Sequence, residues 1–197
     1  MLENILLSFI PLFIAVDVLG NMPFFLSLTS GMTSKQRRAV VYESVSVACI
    51  LAILFMFLGK WLLRVLYITV SDFKIAGGVL LLAISISLLL PGKNKFMDLA
   101  DEQQGIGIFP LATPLITGPA VLTTSLIVVD NYGILVALIA LILNMLIVWG
   151  VFMGSQQIFR LIGRAGSRAF SKISEILLAA IAVMLIRQGV MEIFLPK

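Results

Sequence analysis

The chain has 197 residues, 60% of them hydrophobic and only 12% charged, with a formal net charge of +4. Together with a mean hydropathy of +1.13, set against about 25% charged residues in soluble domains, this excludes a water-soluble globular protein and points to a polytopic membrane protein, a single transmembrane domain over 1–197. The absence of histidine and the single cysteine, Cys49, exclude His-based metal sites and general bases, internal disulfides and Cys-x-x-Cys chemistry; the positive charge lies in membrane-flanking connections and does not argue for nucleic acid.

Six hydrophobic segments follow one another, at roughly 5–28, 40–59, 73–90, 108–129, 133–154 and 173–194. Each is close to the ~20 residues needed to cross a bilayer. Met1-Leu2-Glu3-Asn4 lacks a basic n-region, so a cleavable signal peptide is not expected and the first segment is retained.

That first segment contains Asp17-Val18-Leu19-Gly20-Asn21-Met22-Pro23. An ionised Asp at the centre of a membrane helix costs about 2.5–3.5 kcal/mol. Pro23 cannot donate to the Leu19 carbonyl, and Gly20 weakens the helix by about 0.8–1 kcal/mol. A lipid-facing helix gains nothing from this combination. The expectation is a locally unwound stretch facing a polar cavity or another helix.

The connections carry the charge. The first holds Lys35, Arg37 and Arg38, and the second Arg64 and the stretch 67–72. The third, 91–107, holds Lys93, Lys95, Asp98, Asp101 and Glu102; the fourth is the tight turn Asp130-Asn131-Tyr132-Gly133; the fifth holds Arg160, Arg164, Arg168 and Lys172. Nine of the 14 lysines and arginines fall in the first, third and fifth connections, which the positive-inside rule places in the cytoplasm, with both termini outside.

The fourth segment carries a second set of breaks, Phe109-Pro110-Leu111-Ala112-Thr113-Pro114-Leu115-Ile116-Thr117-Gly118-Pro119. Pro114 leaves the carbonyl of Pro110 without its helical donor, and Pro119 that of Leu115. Thr113 and Thr117, one helical turn apart, are expected to line the same cavity. The half-helix after Gly118 would present free N–H groups and the positive end of its dipole to a carboxylate.

The two break regions belong to an internal repeat. Pro23 and Pro119, Leu26-Ser27 and Leu122-Thr123, Arg64 and Arg160, and Lys74 and Lys172 match in order at offsets near 96–98 residues. Repeat one covers about 1–97 and repeat two about 98–197. Three crossings per repeat is an odd number, so the halves insert in opposite orientations, as in secondary transporters whose sites lie between broken helices near the midplane.

Other candidates have blander readings. Glu43 is expected to be an interfacial ion-paired residue, Asp130 a solvated turn residue and Asn144 an interhelical hydrogen-bonding residue. Few cationic partners for Asp17 lie at that depth, and Arg187 is one of them. Gly77-Gly78 would allow close helix approach, and Trp61, Trp149 and Tyr67 suit membrane interfaces. Gly163-Arg164-Ala165-Gly166 lacks the strand and spacing of a phosphate loop.

At the two broken segments the chain resembles the MarC family, also called the small neutral amino-acid transporter (SnatA) family. The resemblance rests on Asp17-x-x-Gly20-Asn21-x-Pro23, Pro110-Leu111-Ala112-x-Pro114-x-x-x-Gly118-Pro119, Ala76-Gly77-Gly78 and Leu161-Ile162-Gly163-x-x-Gly166, with length and segment number in agreement along the whole chain. It implies a multi-pass protein of the bacterial or archaeal cytoplasmic (inner) membrane, with amino-acid transport ascribed to some members and glycine, alanine, serine or threonine as first substrates to try.

The expectation is an all-α membrane protein of six helices in two inverted repeats, with helices 1 and 4 broken near the midplane. Its function would be secondary-active transport of a small neutral amino acid, driven by H+, by Na+ or by the substrate's own gradient. Asp17, Gly20, Asn21, Pro23, Thr113, Pro114, Thr117, Gly118 and Pro119 are the expected substrate site, with Asp17 as the proton- or ion-coupling candidate. No cofactor, metal or enzymatic activity is expected. The alternatives are a channel or an exporter of another small polar metabolite, and then an intramembrane enzyme.

Overall fold

The computed structural model describes residues 2–89 and 105–194, and among these the chain is helical with no strand. Most of the third connection, with Lys93, Lys95, Asp98, Asp101 and Glu102, and the expected repeat boundary at 97–98 lie outside the described residues.

The first apolar segment forms two helices, α1 (Leu2–Val16) and α2 (Val18–Leu28), that meet at a single left-handed residue, Asp17, at φ 44° and ψ 54°. This conformation costs most L-residues about 1–2 kcal/mol; Asp and Asn visit it because their short polar side chains bond locally. The Asp17 carboxylate does so, accepting the Gly20 N–H at 3.1 Å and capping α2. The unwinding expected across Asp17–Pro23 is therefore confined to one residue, and the backbone is helical through Pro23. A proline well inside α2 removes one backbone bond, at Leu19, and the helix continues past it.

Helix α3 (Ser34–Leu66) opens on a capping box, in which Thr33 and Gln36 bond each other's backbone N–H groups. Its 33 residues reach about 50 Å at 1.5 Å per residue, beyond the ~30 Å hydrocarbon layer. The helix thus runs past the apolar 40–59 stretch at both ends and absorbs Arg37, Arg38, Lys60 and Arg64. Helix α4 (Val70–Leu89) follows.

The fourth segment is bent by 56° between α5 (Gly107–Ile116) and α6 (Pro119–Tyr132). Segment α5 is irregular: Phe109 and Thr113 have extended backbones and precede cis peptide bonds to Pro110 and Pro114. Helix α6 starts at an extended Gly118 followed by proline, the arrangement that fits a helix N-terminus. A Cβ on Gly118 would lie 2.3 Å from the Pro114 carbonyl oxygen, so the tight return of the chain requires glycine there.

The last element corrects the expected fifth connection. Helix α7 (Ile134–Phe194) is helical over 61 residues, through the stretch bearing Arg160, Arg164 and Arg168, whose side chains lie outside the description. No proline interrupts this stretch. Straight, it would span about 92 Å. Yet Asn144 donates to the Phe9 carbonyl at 3.3 Å, while Met184, Leu185 and Gln188 line a cavity with Pro11 and Asp17. The element is therefore bent, and its two arms return to the same neighbours.

These contacts divide the bundle. In the larger body, Phe25 of α2 stacks on Phe152 of the first α7 arm with centroids 4.3 Å apart. Leu12, Phe24, Leu111, Ile116 and Val148 are as completely buried. In the smaller body α4 packs antiparallel on the second α7 arm. A Cβ on Gly78 would lie 2.7 Å from the Ala182 carbonyl oxygen, and one on Gly189 2.6 Å from that of Ser71. The expected close approach through small residues is realised here. Ser71 and Lys74 both bond Glu192 at the end of this pair. Gly77 rests on the ring of Pro119, joining the pair to the larger body.

Leu2–Met22, Ser34–Leu66 and Ile134–Ser155 are each long and apolar enough to cross a bilayer, and α5 with α6 forms a fourth, broken candidate. Two polar expectations change. Among the described residues Glu43 makes no ion pair; its carboxylate lies against the Gly107 N–H at the start of α5, because that irregular start leaves donors unpaired. Asp130 is not simply solvated but pairs with Lys60, both half exposed, a contact worth about 0–1 kcal/mol.

Candidate functional site

The two broken segments meet at one cavity of about 530 Å³, within the ~300–1,000 Å³ range of small-molecule sites. Asp17 and Asn21 from the first break line it, with Pro114, Leu115, Gly118 and Pro119 from the second. The remaining walls come from Pro11 and Ile14 of α1, Leu81 of α4, Ala120 and Thr124 of α6, and the face Ile181–Met184–Gln188 of the second α7 arm. The cavity thus lies between the two bodies. Asp17 also borders a smaller hollow, formed with Phe13, Ile14, Val18 and Leu19.

Asn21 holds the two breaks together. It is 7% exposed, and its Nδ2 donates to the Val16 carbonyl at 2.7 Å and to the Leu115 carbonyl at 3.1 Å. Val16 immediately precedes the left-handed Asp17, and Leu115 is the carbonyl that Pro119 leaves without a helical donor. One amide therefore satisfies an acceptor exposed by each break, where an unpaired buried carbonyl would cost about 1–3 kcal/mol.

The charge arrangement is simple. Among the described lining residues Asp17 is the one ionisable side chain. Across from it, α6 begins without a side-chain cap. Pro119 has no N–H, and the first intrahelical bond of α6 is Leu122 N–H to the Gly118 carbonyl, so the N–H groups of Ala120 and Val121 have no acceptor within the helix. The cavity therefore presents one carboxyl side chain and, at Ala120, the uncapped positive end of a helix.

The expected residues divide accordingly. Asp17, Asn21, Pro114, Gly118 and Pro119 are brought together. Gly20 is spent on the Asp17 cap, and the side chain of Pro23 lies outside the described residues. Thr113 and Thr117 do not line the cavity. Thr117 donates to the Ala48 carbonyl of α3 at 2.9 Å, and the Thr113 hydroxyl is buried without a partner. Their expected common face presumed a regular helix between them; the extended backbone at Thr113 removes that relation. Arg187 makes no ion pair with Asp17 among the described residues; it lies next to Gln188, which does line the cavity.

Gln188 and Thr124 were not among the expected site residues. The signal for Gln188 was an uncharged amide inside an apolar segment, which by position alone is a functional candidate. Thr124 was hidden among the neighbouring hydroxyls of Thr123 and Ser125.

Comparison with known proteins agrees along the whole chain. The family model described as MarC family integral membrane protein matches residues 2–194. A UPF0056 membrane protein of Archaeoglobus fulgidus is 32% identical over 194 residues, covering 94% of this chain and 91% of the relative. UPF0056 membrane protein MJ1677 of Methanocaldococcus jannaschii is 30% identical over 198 residues, covering 96% and 97%. UPF0056 inner membrane protein YhgN of Escherichia coli K12 is 26% identical over 196 residues, with 96% and 97% covered. No solved structure matches the chain.

Proposed function

Starting from the fact that the chain belongs to the MarC family of integral membrane proteins, we propose that it is a secondary-active transporter of small neutral amino acids in the cytoplasmic membrane. The observation that carries this reading is the single cavity at which both breaks meet, with the Asp17 carboxylate and the uncapped start of α6 on its walls. A zwitterion matches that pair: its ammonium goes to Asp17 and its carboxylate to the free N–H groups at Ala120 and Val121. Asp17 holds the ammonium directly or carries the coupling proton, the driving force being an ion gradient or the substrate's own.

The architecture that goes with this function is six spans in two inverted repeats with both termini outside. Its support is an exchange of contacts between the halves. The fourth segment bonds the second through Thr117 and Ala48, and the first bonds the fifth through Phe9 and Asn144. The first and fourth meet at Asn21 and Leu115, and the third packs on the sixth at Gly78 and Ala182. Each contact is its own partner, or has one, when the repeats are swapped.

The test is counterflow in proteoliposomes with labelled glycine, alanine, serine and threonine. A carrier shows saturable uptake accelerated by unlabelled substrate inside. If none of the four exchanges, the substrate class is wrong; if flux occurs without acceleration, the protein is a channel.

A further inference from the structure

We propose that Thr124 and Gln188 form a second polar layer in the cavity that selects hydroxyl-bearing substrates over purely aliphatic ones, an inference that rests on the amino-acid reading above. The cavity has four polar side chains among its described lining: Asp17, Asn21, Thr124 and Gln188. The first two are committed, Asp17 to the Gly20 N–H and Asn21 to the Val16 and Leu115 carbonyls. Among the described residues the other two make no side-chain hydrogen bond.

For Thr124 this sets it apart from its neighbours. Thr123 returns its hydroxyl to the Pro119 carbonyl and Ser125 to that of Val121, each at 2.7 Å, the usual way for a membrane helix to absorb a hydroxyl. Thr124 lies one helical turn after Ala120, so the two line the cavity in sequence along one face of α6. Gln188 continues the Ile181–Met184 face of the second α7 arm by another turn.

The two residues therefore stand on different bodies of the bundle, with Thr124 one turn along α6 from its uncapped start. A ligand whose ammonium and carboxylate occupy Asp17 and the start of α6 would direct its side chain toward them. An amide both donates and accepts, and a hydroxyl does the same. A substrate hydroxyl can bond both, whereas a methyl group can bond neither. An uncharged pair also gives no counter-charge to a basic or acidic side chain, which restricts the class to neutral polar substrates.

The experiment is counterflow with labelled serine and labelled alanine, run in parallel on the wild type, Gln188→Leu, Thr124→Val and the conservative Thr124→Ser. The ratio of half-saturating alanine to half-saturating serine is the readout. Losing one neutral hydrogen bond lowers the preference for serine roughly 3- to 10-fold; Thr124→Ser retains it. If the two apolar variants change both substrates equally, or leave the ratio unaltered, the selector role is refuted while the transport reading stands. If wild-type protein exchanges neither amino acid, it is the transport reading that fails.

Discussion

Replacing Asn21 with alanine removes the donor shared by the two breaks. The Val16 and Leu115 carbonyls, now 2.7 and 3.1 Å from the amide nitrogen, would be left without it in a position only 7% exposed. Side-chain hydrogen bonds within membrane proteins average about 0.6 kcal/mol, with a maximum near 1.7, so the two bonds together are worth about 1–3 kcal/mol. Each kcal/mol moves the midpoint of a domain of this size by about 2–4 °C, which gives a fall of about 2–12 °C. Asn21→Asp keeps the shape but turns an oxygen toward both carbonyls, so it should fall at least as far as Asn21→Ala. Thermal unfolding of purified protein in detergent and in lipid nanodiscs reads the effect, with Asn131→Ala at the exposed C-terminal end of α6 as a control moving less than about 1 °C. If both Asn21 variants unfold within about 1 °C of the wild type, the amide does not hold the breaks together, and the cavity must owe its form to apolar packing alone.

Three further outcomes test the site and its frame. Asp17→Asn should fold normally, since Asn tolerates the left-handed backbone and still accepts from Gly20, yet lose amino-acid exchange; normal exchange at every pH would remove the carboxylate from both binding and coupling. Asp17→Ala should cost stability as well, about 0.5–2 kcal/mol from the lost cap, which parallel melts would detect. Gly78→Val should destabilise the α4–α7 pair by about 1–3 kcal/mol, because its Cβ would start 2.7 Å from the Ala182 carbonyl; undiminished yield and melting temperature would refute that close approach. Finally, in a Cys49→Ser background, Met184→Cys on the cavity wall should react with a membrane-impermeant thiol reagent, whereas Phe25→Cys, sealed against Phe152, should not. Equal labelling of the two would show that the Phe25–Phe152 stack is not sealed from water.

The breaks and their meeting were legible in residue order. Pro23, Pro110, Pro114 and Pro119 remove backbone donors within apolar segments, and freed carbonyls in a membrane demand new donors wherever they end up. Local chemistry of that kind is read directly from the chain, as is the close helix approach at Gly78. The bias of positive charge among the connections was equally visible. The continuity of α7 was not, because hydropathy marks the polar residues between 155 and 172 as a connection while nothing there forbids a helix.

From sequence alone came a membrane protein with two interrupted segments, a mid-segment carboxylate and a proline-freed carbonyl at Leu115. The tertiary structure decided which residue yields, Asp17 rather than Pro23, and which donor answers Leu115, the amide of Asn21. It turned Thr117 toward Ala48 and left Thr124 and Gln188 facing the cavity. The reason is physical: the loss of a backbone hydrogen bond is a local event set by residue type, but its replacement depends on which side chain packing brings within about 3 Å, and those partners lie as far apart in sequence as Asn21 and Leu115.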